Sequence, residues 1–182
     1  MGPTKALVLI AAVACMLACS KSSSRGGAEA EETGTTTDNA IAPTSDAADL
    51  DRRAKSLFEA VVKDDPSLAE SFWFPKEPFL VLKDPPDPGG YWEKLHRAYA
   101  DDIHALHASR PSWDEAAFDH FELGSPPRWM NPGDEHNRIG YYRSLGGTLH
   151  FRDGGKDDAF VVDVIITWQG KWYVTHLRRV RR

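Results

Sequence analysis

Apolar residues recur every three or four positions in two stretches of the chain, which is the spacing of an amphipathic helix. The first stretch follows a capping position at Ser45 or Asp46, and its stripe comprises Leu50, Ala54, Leu57, Phe58, Val61 and Val62. The second runs from about Tyr91 to Ala108, with a stripe of Trp92, Leu95, Tyr99, Ile103 and Leu106. The pattern predicts two long helices, each with one face toward a core.

The segment between these helices is interrupted by proline. Asp65 followed by Pro66 predicts a short helix over Pro66–Trp73, because proline suits the first helical position. The stretch "FWFPKEPFLVLKDPPDPGGYW" carries five prolines and two glycines, which preclude a long helix. Its apolar side chains predict a loop packed onto the domain.

From Ala117 onward, the pattern changes to the alternation typical of strands. We expect strands at "AFDHFEL", "RIGYYRSL", "GTLHFR", "AFVVDVIITW" and "KWYVTHLRRV", the second and third being one strand if it bends at Gly146-Gly147. Gln169-Gly170 predicts a two-residue hairpin turn between the last two. The sequence therefore predicts an α+β domain over residues 46–182, in which a curved antiparallel sheet packs on a long helix.

A two-residue turn fixes the pairing of the last two strands. We expect the more apolar face to meet the helices; it carries Phe160, Val162, Val164, Ile166 and Trp168. On the other face Asp163 lies opposite His176, a carboxylate beside a base. Asp163, His176 and His96 are candidate catalytic residues, although Asp163 and His176 are expected on the outer face as an exposed pair. The same face offers a contact patch for a dimer or an envelope protein, formed by Val161, Ile165, Trp172 and Val174.

The order of these elements, ending in the hairpin "WQGKWYVTHLR", resembles the nuclear transport factor two-like superfamily, also called cystatin-like cones. The resemblance covers Asp46 to Val180 and implies a cone-like sheet around a long helix, with a pocket between them. That superfamily includes ketosteroid isomerases, polyketide cyclases and dehydratases, and also members that only bind or dimerise. No catalytic residue of those enzymes matches a position of this chain.

If the cone is present, four aromatic residues are candidates to line its pocket, with His96 at the rim: Trp92, Tyr99, Trp168 and Tyr173. The alternative is that these aromatic residues form the core, since an aromatic stripe at helical spacing is usually packing.

The first residues of the chain have the pattern of an export signal. Ala6 to Leu17 is an apolar run, too short to span a bilayer as a helix, which needs about 20 residues. It ends in Met16-Leu17-Ala18-Cys19, which resembles the signal of bacterial lipoproteins. The resemblance implies cleavage before Cys19 and acylation of its thiol and new amino terminus. Cys15, after Ala12-Val13-Ala14, is an alternative site of lipidation, and secretion after cleavage at Ala14 or Ala18 is a further alternative.

Residues 20–45 contain no aromatic residue and are rich in Ser, Thr, Gly, Ala and Glu. Such a segment buries too little apolar surface to offset the entropy of folding. We therefore expect a signal peptide over 1–18, a lipidated Cys19 with a disordered tether over 19–45, and an anchored domain that faces the periplasm or the exterior.

The formal net charge of −5 argues against a nucleic-acid-binding domain, which is usually basic. We expect no metal and no other cofactor: His104 and His107 share no face with an acid, and Asp134-Glu135-His136 matches no standard ligand spacing. Three hypotheses remain. The domain is a binding or interaction module, an enzyme of the isomerase, cyclase or dehydratase type with an aromatic pocket, or a structural dimerisation module.

Overall fold

The computed structural model describes residues 39–43 and 47–178. The predicted signal peptide, the lipidated Cys19 and most of the predicted tether lie outside these residues. Within them the chain is α+β, as predicted, with three α-helices, one 3-10 turn (Pro66–Ala69) and five strands. The helices are α1 (Ala47–Lys63), α2 (Lys76–Leu82) and α3 (Pro88–His107), and the strands are β1 (Ala116–Glu122), β2 (Arg128–Met130), β3 (Tyr141–Asp153), β4 (Lys156–Trp168) and β5 (Lys171–His176).

Both long helices form where the apolar spacing predicts them. Helix α3 begins at Pro88, because the Asp87 side chain accepts a hydrogen bond from the backbone N–H of Gly90 at 2.9 Å. The predicted helix over Pro66–Trp73 is only a 3-10 turn. The proline-rich stretch, predicted as a loop, contains α2, since Pro78 lies in its first turn, where the missing N–H has no intrahelical partner.

The five strands form one antiparallel sheet in the order β1-β3-β4-β5, and β2 also pairs with β3. Strand β3 runs without interruption through Gly146, whose φ of 68° suits glycine. At Gly147, a Cβ atom would come within 2.5 Å of the Phe121 ring. The chain thus forms one long strand with glycine where the sequence predicted either two strands or one bent strand.

The last hairpin follows the predicted register for its first four pairs, from Trp168–Lys171 to Ile165–Val174. Gln169 and Gly170 both have positive φ, as a tight hairpin turn requires. Beyond these pairs a β-bulge adds Thr175 to β5, so that His176 pairs with Val164. The predicted pair of Asp163 and His176 is therefore wrong.

The more apolar sheet face meets the helices, as expected: Phe151 packs against Phe58 of α1 with ring centroids 5.5 Å apart. On the opposite face, the alternation of apolar and polar residues predicted an exposed patch, but most of that patch is buried. Ile165, Trp172 and Val174 are buried, and Val161 is 56% exposed. The predicted contact patch is thus accessible at Val161 and closed at its other three residues.

Each outer strand of the sheet forms backbone hydrogen bonds with another part of the chain at one residue. The backbone of Val174 in β5 exchanges hydrogen bonds with Phe72 and Phe74, at 2.8 and 3.0 Å, so residues 72–74 run beside β5. At the other side the N–H of Phe121 in β1 donates to the carboxylate of Asp51 in α1 at 2.8 Å.

Residues 39–43, assigned to the tether by composition, contact the domain. Asn39 is 1% exposed, and its amide donates to the carbonyl of Gly140 at 2.9 Å. Its side-chain oxygen accepts from the N–H of Gln169 at 2.6 Å. Through these contacts Asn39 binds both the residue before β3 and the turn between β4 and β5.

Candidate functional site

A cavity of about 450 Å³ lies between the helices and the sheet. Helices α2 and α3 provide Phe79, Tyr91 and Leu95, and apolar side chains of β4 face them. The full lining is Phe79, Lys83, Pro85, Tyr91, Leu95, Glu135, His136, Tyr141, Arg143, Val164, Ile166, Thr175 and His176. The cavity is thus mostly apolar, with a small set of polar groups, as is typical of small-molecule sites.

The polar groups form a connected cluster around Glu135. The carboxylate of Glu135 accepts hydrogen bonds from the Tyr141 hydroxyl and from the Arg143 guanidinium. The Lys83 ammonium donates to the Tyr141 oxygen at 2.5 Å and to the Glu135 carbonyl at 3.4 Å. Glu135 is the single carboxylate among the described residues that line the cavity, which also include two cations.

The loop that carries Glu135 is held in place by Asn137, which is 3% exposed. The Asn137 oxygen accepts from the N–H of Glu135 at 2.9 Å, and its amide donates to the carbonyls of Asn131 and Ile139. The N–H of Arg138 also donates to the carbonyl of Leu82, at 2.8 Å. The loop is therefore fixed against the end of α2, next to Lys83.

Burial shifts the pKa of several groups in the cavity. It lowers the pKa of Lys83 to about 8, and the charge of Arg143 lowers it further. Burial also lowers the pKa of His176, an effect that Asp163 opposes. The pKa of the Tyr141 hydroxyl is raised by its burial. At neutral pH, Lys83 is thus a largely buried cation with little contact with water.

Of the predicted catalytic residues, His176 lines the cavity, whereas His96 and Asp163 do not. His96 lies on α3, where its Nε2 is 2.7 Å from the Glu70 carboxylate and its ring stacks on Trp92. The structure therefore does not bring these three predicted residues together.

The four aromatic residues predicted as pocket lining are outside the cavity and belong to the core. Tyr99 stacks on Trp73 at 4.7 Å, and the Trp92 indole donates to the Phe74 carbonyl at 2.8 Å. Trp168 and Tyr173 both pack against the Phe74 ring. The alternative reading, in which this aromatic set is packing, fits these contacts.

The histidines of α3 do not form a shared metal-binding site. His104 Nδ1 lies 2.6 Å from the Asp64 carboxylate, and His107 Nδ1 lies 2.9 Å from the Val61 carbonyl. In the loop, Asp134 accepts a hydrogen bond from the N–H of Asn131, while Glu135 faces the cavity cluster.

Lys83, Glu135, Tyr141 and Arg143 were not predicted as site residues. One local signal exists: Tyr141 and Arg143 are two apart on a strand, so their side chains share a face. Glu135 and Lys83 come to the cavity from separate segments of the chain. Their spacing in the sequence gives no indication that they lie close together.

Comparisons with family models, with curated proteins and with solved structures found no match for this chain. None of the helices within residues 47–178 combines the length and apolar content needed to cross a membrane. The functional argument therefore rests on the cavity and its chemistry.

Proposed function

We propose that the domain is a binding module for a small amphipathic molecule with one acidic group, and that this molecule occupies the cavity between α2, α3 and the sheet. The observation that carries the proposal is the cavity wall, where two cations and one carboxylate meet a mostly apolar surface. A volume of about 450 Å³ lies within the range of about 300–1,000 Å³ typical of small-molecule sites.

The charges in the cavity favour an anion. Glu135 is already hydrogen-bonded to Arg143 and Tyr141. Lys83 contacts a hydroxyl and a backbone carbonyl, neither of which carries a formal charge. A ligand carboxylate beside Lys83 supplies the opposite charge that a buried ammonium requires.

The apolar wall favours a hydrocarbon body on the same ligand. Phe79, Leu95, Val164 and Ile166 all face the cavity. Covering apolar surface contributes about 25 cal/mol per Å² removed from water. The apolar body would therefore supply most of the affinity, and Lys83 would select the acidic group.

The test compares decanoate with decan-1-ol, two chains that differ in their head group. We expect decanoate to bind the wild-type protein more tightly, and Lys83→Met to weaken decanoate binding about tenfold or more, because a hydrogen bond to a charged group is lost. Binding of decan-1-ol should be unaffected. Titration calorimetry of both ligands measures these differences.

The matched control is Lys94→Met, since Lys94 lies exposed on α3 and does not line the cavity. It should leave both affinities unchanged. Failure of the wild-type protein to bind either ligand would sink the proposal. Equal binding of acid and alcohol would contradict the role of Lys83 in selecting an anion.

An enzyme is the second candidate function, and one observation favours it. Lys83 and His176 both line the cavity, and burial lowers the pKa of Lys83 to about 8, so that Lys83 can exchange protons near neutral pH. An isomerase, cyclase or dehydratase type of reaction would use such a group. Mass spectrometry of a ligand recovered from the protein separates the two cases: an unchanged ligand supports binding, and a converted one supports catalysis.

The positive φ of Gly146 within β3 and a cavity between sheet and helices support the resemblance to the cone-like superfamily, which we retain as a proposal. Because that superfamily hosts enzymes as well as binding domains, the resemblance favours neither function.

We also propose that the domain is tethered to the bacterial cell envelope through a lipid on Cys19. In a bacterial host, the wild-type chain should partition into detergent and gain acyl mass, because several acyl chains hold a protein far more firmly than one. Cys19→Ala should remain in the aqueous phase without that mass. Phase separation and intact mass spectrometry provide the measurement.

The control is Cys15→Ala, which should behave like the wild type. If wild type and Cys19→Ala both stay aqueous, with cleavage after Ala14 or Ala18, the protein is secreted without an anchor. That result would leave the cavity proposal intact.

A further inference from the structure

A β-bulge in β1 brings two histidines and a glutamate together on the sheet face opposite the core. Phe118 pairs with Phe151 in β3, but two residues later His120 pairs with His150, so that Asp119 is the extra residue. Without the bulge, His120 would lie opposite Leu149, which is fully buried. The bulge thus turns His120 out of the core, which is a recurrent role of bulges.

The three side chains have the geometry of a metal-binding set. The imidazole rings of His120 and His150 are parallel, with centroids 4.4 Å apart. His150 Nε2 lies 3.6 Å from a Glu122 carboxylate oxygen. One ligand atom from each residue falls within 4.8 Å of the other two, a spacing that one ion in the middle can bridge.

Two further observations point to a ligand here. His150 Nε2 is shielded from solvent and has no hydrogen-bond partner among the described residues, although buried polar atoms are normally paired. His120 Nδ1 lies 2.9 Å from the Asp119 carboxylate. A carboxylate at one imidazole nitrogen orients the ring and leaves the other nitrogen to bind a metal.

We propose that His120, Glu122 and His150 form a zinc site on this face of the sheet. Two imidazole nitrogens and one carboxylate oxygen suit Zn²⁺ better than Ca²⁺ or Mg²⁺, which prefer oxygen ligands alone. Three protein ligands leave a fourth position open to water. None of the three residues lines the cavity, so this site stands apart from the proposed ligand site.

The test is calorimetric titration of ZnCl₂ into the full chain. We expect one zinc ion bound per domain through these residues. His150→Ala and Glu122→Gln should each weaken binding about tenfold or more, and Asp119→Asn should weaken it about tenfold, as loss of a carboxylate that orients a ligand does. Co²⁺ in place of zinc should give the visible absorption of a tetrahedral site, and that band should disappear in His150→Ala.

The control is His104→Ala, an exposed histidine on α3 that contacts Asp64; it should bind zinc like the wild type. Circular dichroism checks that each variant is folded, and Glu122→Gln serves if a histidine variant is not, since the Glu122 side chain is 70% exposed. The proposal would be overturned if the wild type did not bind zinc, or if His150→Ala and Glu122→Gln both bound zinc as tightly as the wild type does.

Discussion

Phe58→Ala is expected to lower the free energy of unfolding by about 3–5 kcal/mol, the cost of removing a large aromatic side chain from a core. Phe58 is 4% exposed, and its ring contacts Trp113, Phe118 and Phe151 at centroid distances of 6.2, 6.1 and 5.5 Å. It joins α1 to β1 and β3. Because a domain is stable by about 5–15 kcal/mol, this single change removes a large part of the total.

Urea unfolding followed by tryptophan fluorescence measures this loss. Val161→Ala is the control, because a side chain that is 56% exposed should change stability by less than about 0.5 kcal/mol. A loss below about 1 kcal/mol for Phe58→Ala would show that α1 does not pack on the sheet as described.

Lys83→Met is expected to stabilise the protein at neutral pH, by about 3 kcal/mol. The Lys83 pKa is about 8 in the folded chain, against an ordinary value of 10.5. Burial of the ammonium therefore costs stability wherever Lys83 is charged, and methionine of similar length avoids this cost. The result would mark Lys83 as a residue retained at the expense of stability, which is common at functional sites.

The lowered pKa of Lys83 also determines how the effect of Lys83→Met on stability changes with pH. Well below pH 8 the lysine is protonated in both the folded and the unfolded state, and the folded state carries the full cost of burying the charge. Between about pH 8 and 10.5 the unfolded chain binds more protons than the folded chain, so the wild-type free energy of unfolding rises with pH. The advantage of Lys83→Met should therefore fall to less than half by about pH 9.5.

Urea unfolding of both proteins at pH 7 and 9.5 checks this expectation, with Lys94→Met as the control for loss of a surface lysine. A destabilised Lys83→Met at pH 7 would instead mean that the contacts of Lys83 with Tyr141 and the Glu135 carbonyl outweigh its burial.

Elements set by local patterns could be predicted from the sequence. The apolar stripes of α1 and α3 specify a helix whatever packs against them. The Gln169-Gly170 turn specifies its hairpin because both residues adopt positive φ there. The burial of β3 and β4 on the more apolar face follows from period-two alternation.

The bulges could not be predicted, and they decide where the polar side chains lie. Thr175 in β5 and Asp119 in β1 each add one residue without glycine or proline at that position. One added residue moves every later side chain to the other face. That shift separated Asp163 from its predicted partner and placed His176 at the cavity.

The cavity cluster depends on contacts between distant segments. Lys83 follows α2, Glu135 lies in a loop, and Tyr141 and Arg143 lie in β3. These side chains come together because the hydrogen bonds of Asn137 hold the loop in place. In the sequence, Asn137 looks like any asparagine of a solvent-exposed polar loop. Sequence patterns report periodicity within an element and carry no information on such long-range contacts.

The hydrogen bonds that the outer strands form with other parts of the chain have a consequence for self-association. Chains that aggregate through their sheets do so by docking free backbone groups of one molecule onto those of another. Residues 72–74 occupy those groups around Val174, and Asp51 occupies the N–H of Phe121. These backbone groups are therefore not available to dock onto a second molecule, which hinders templated fibre growth at these two positions without relying on repulsion between charged molecules.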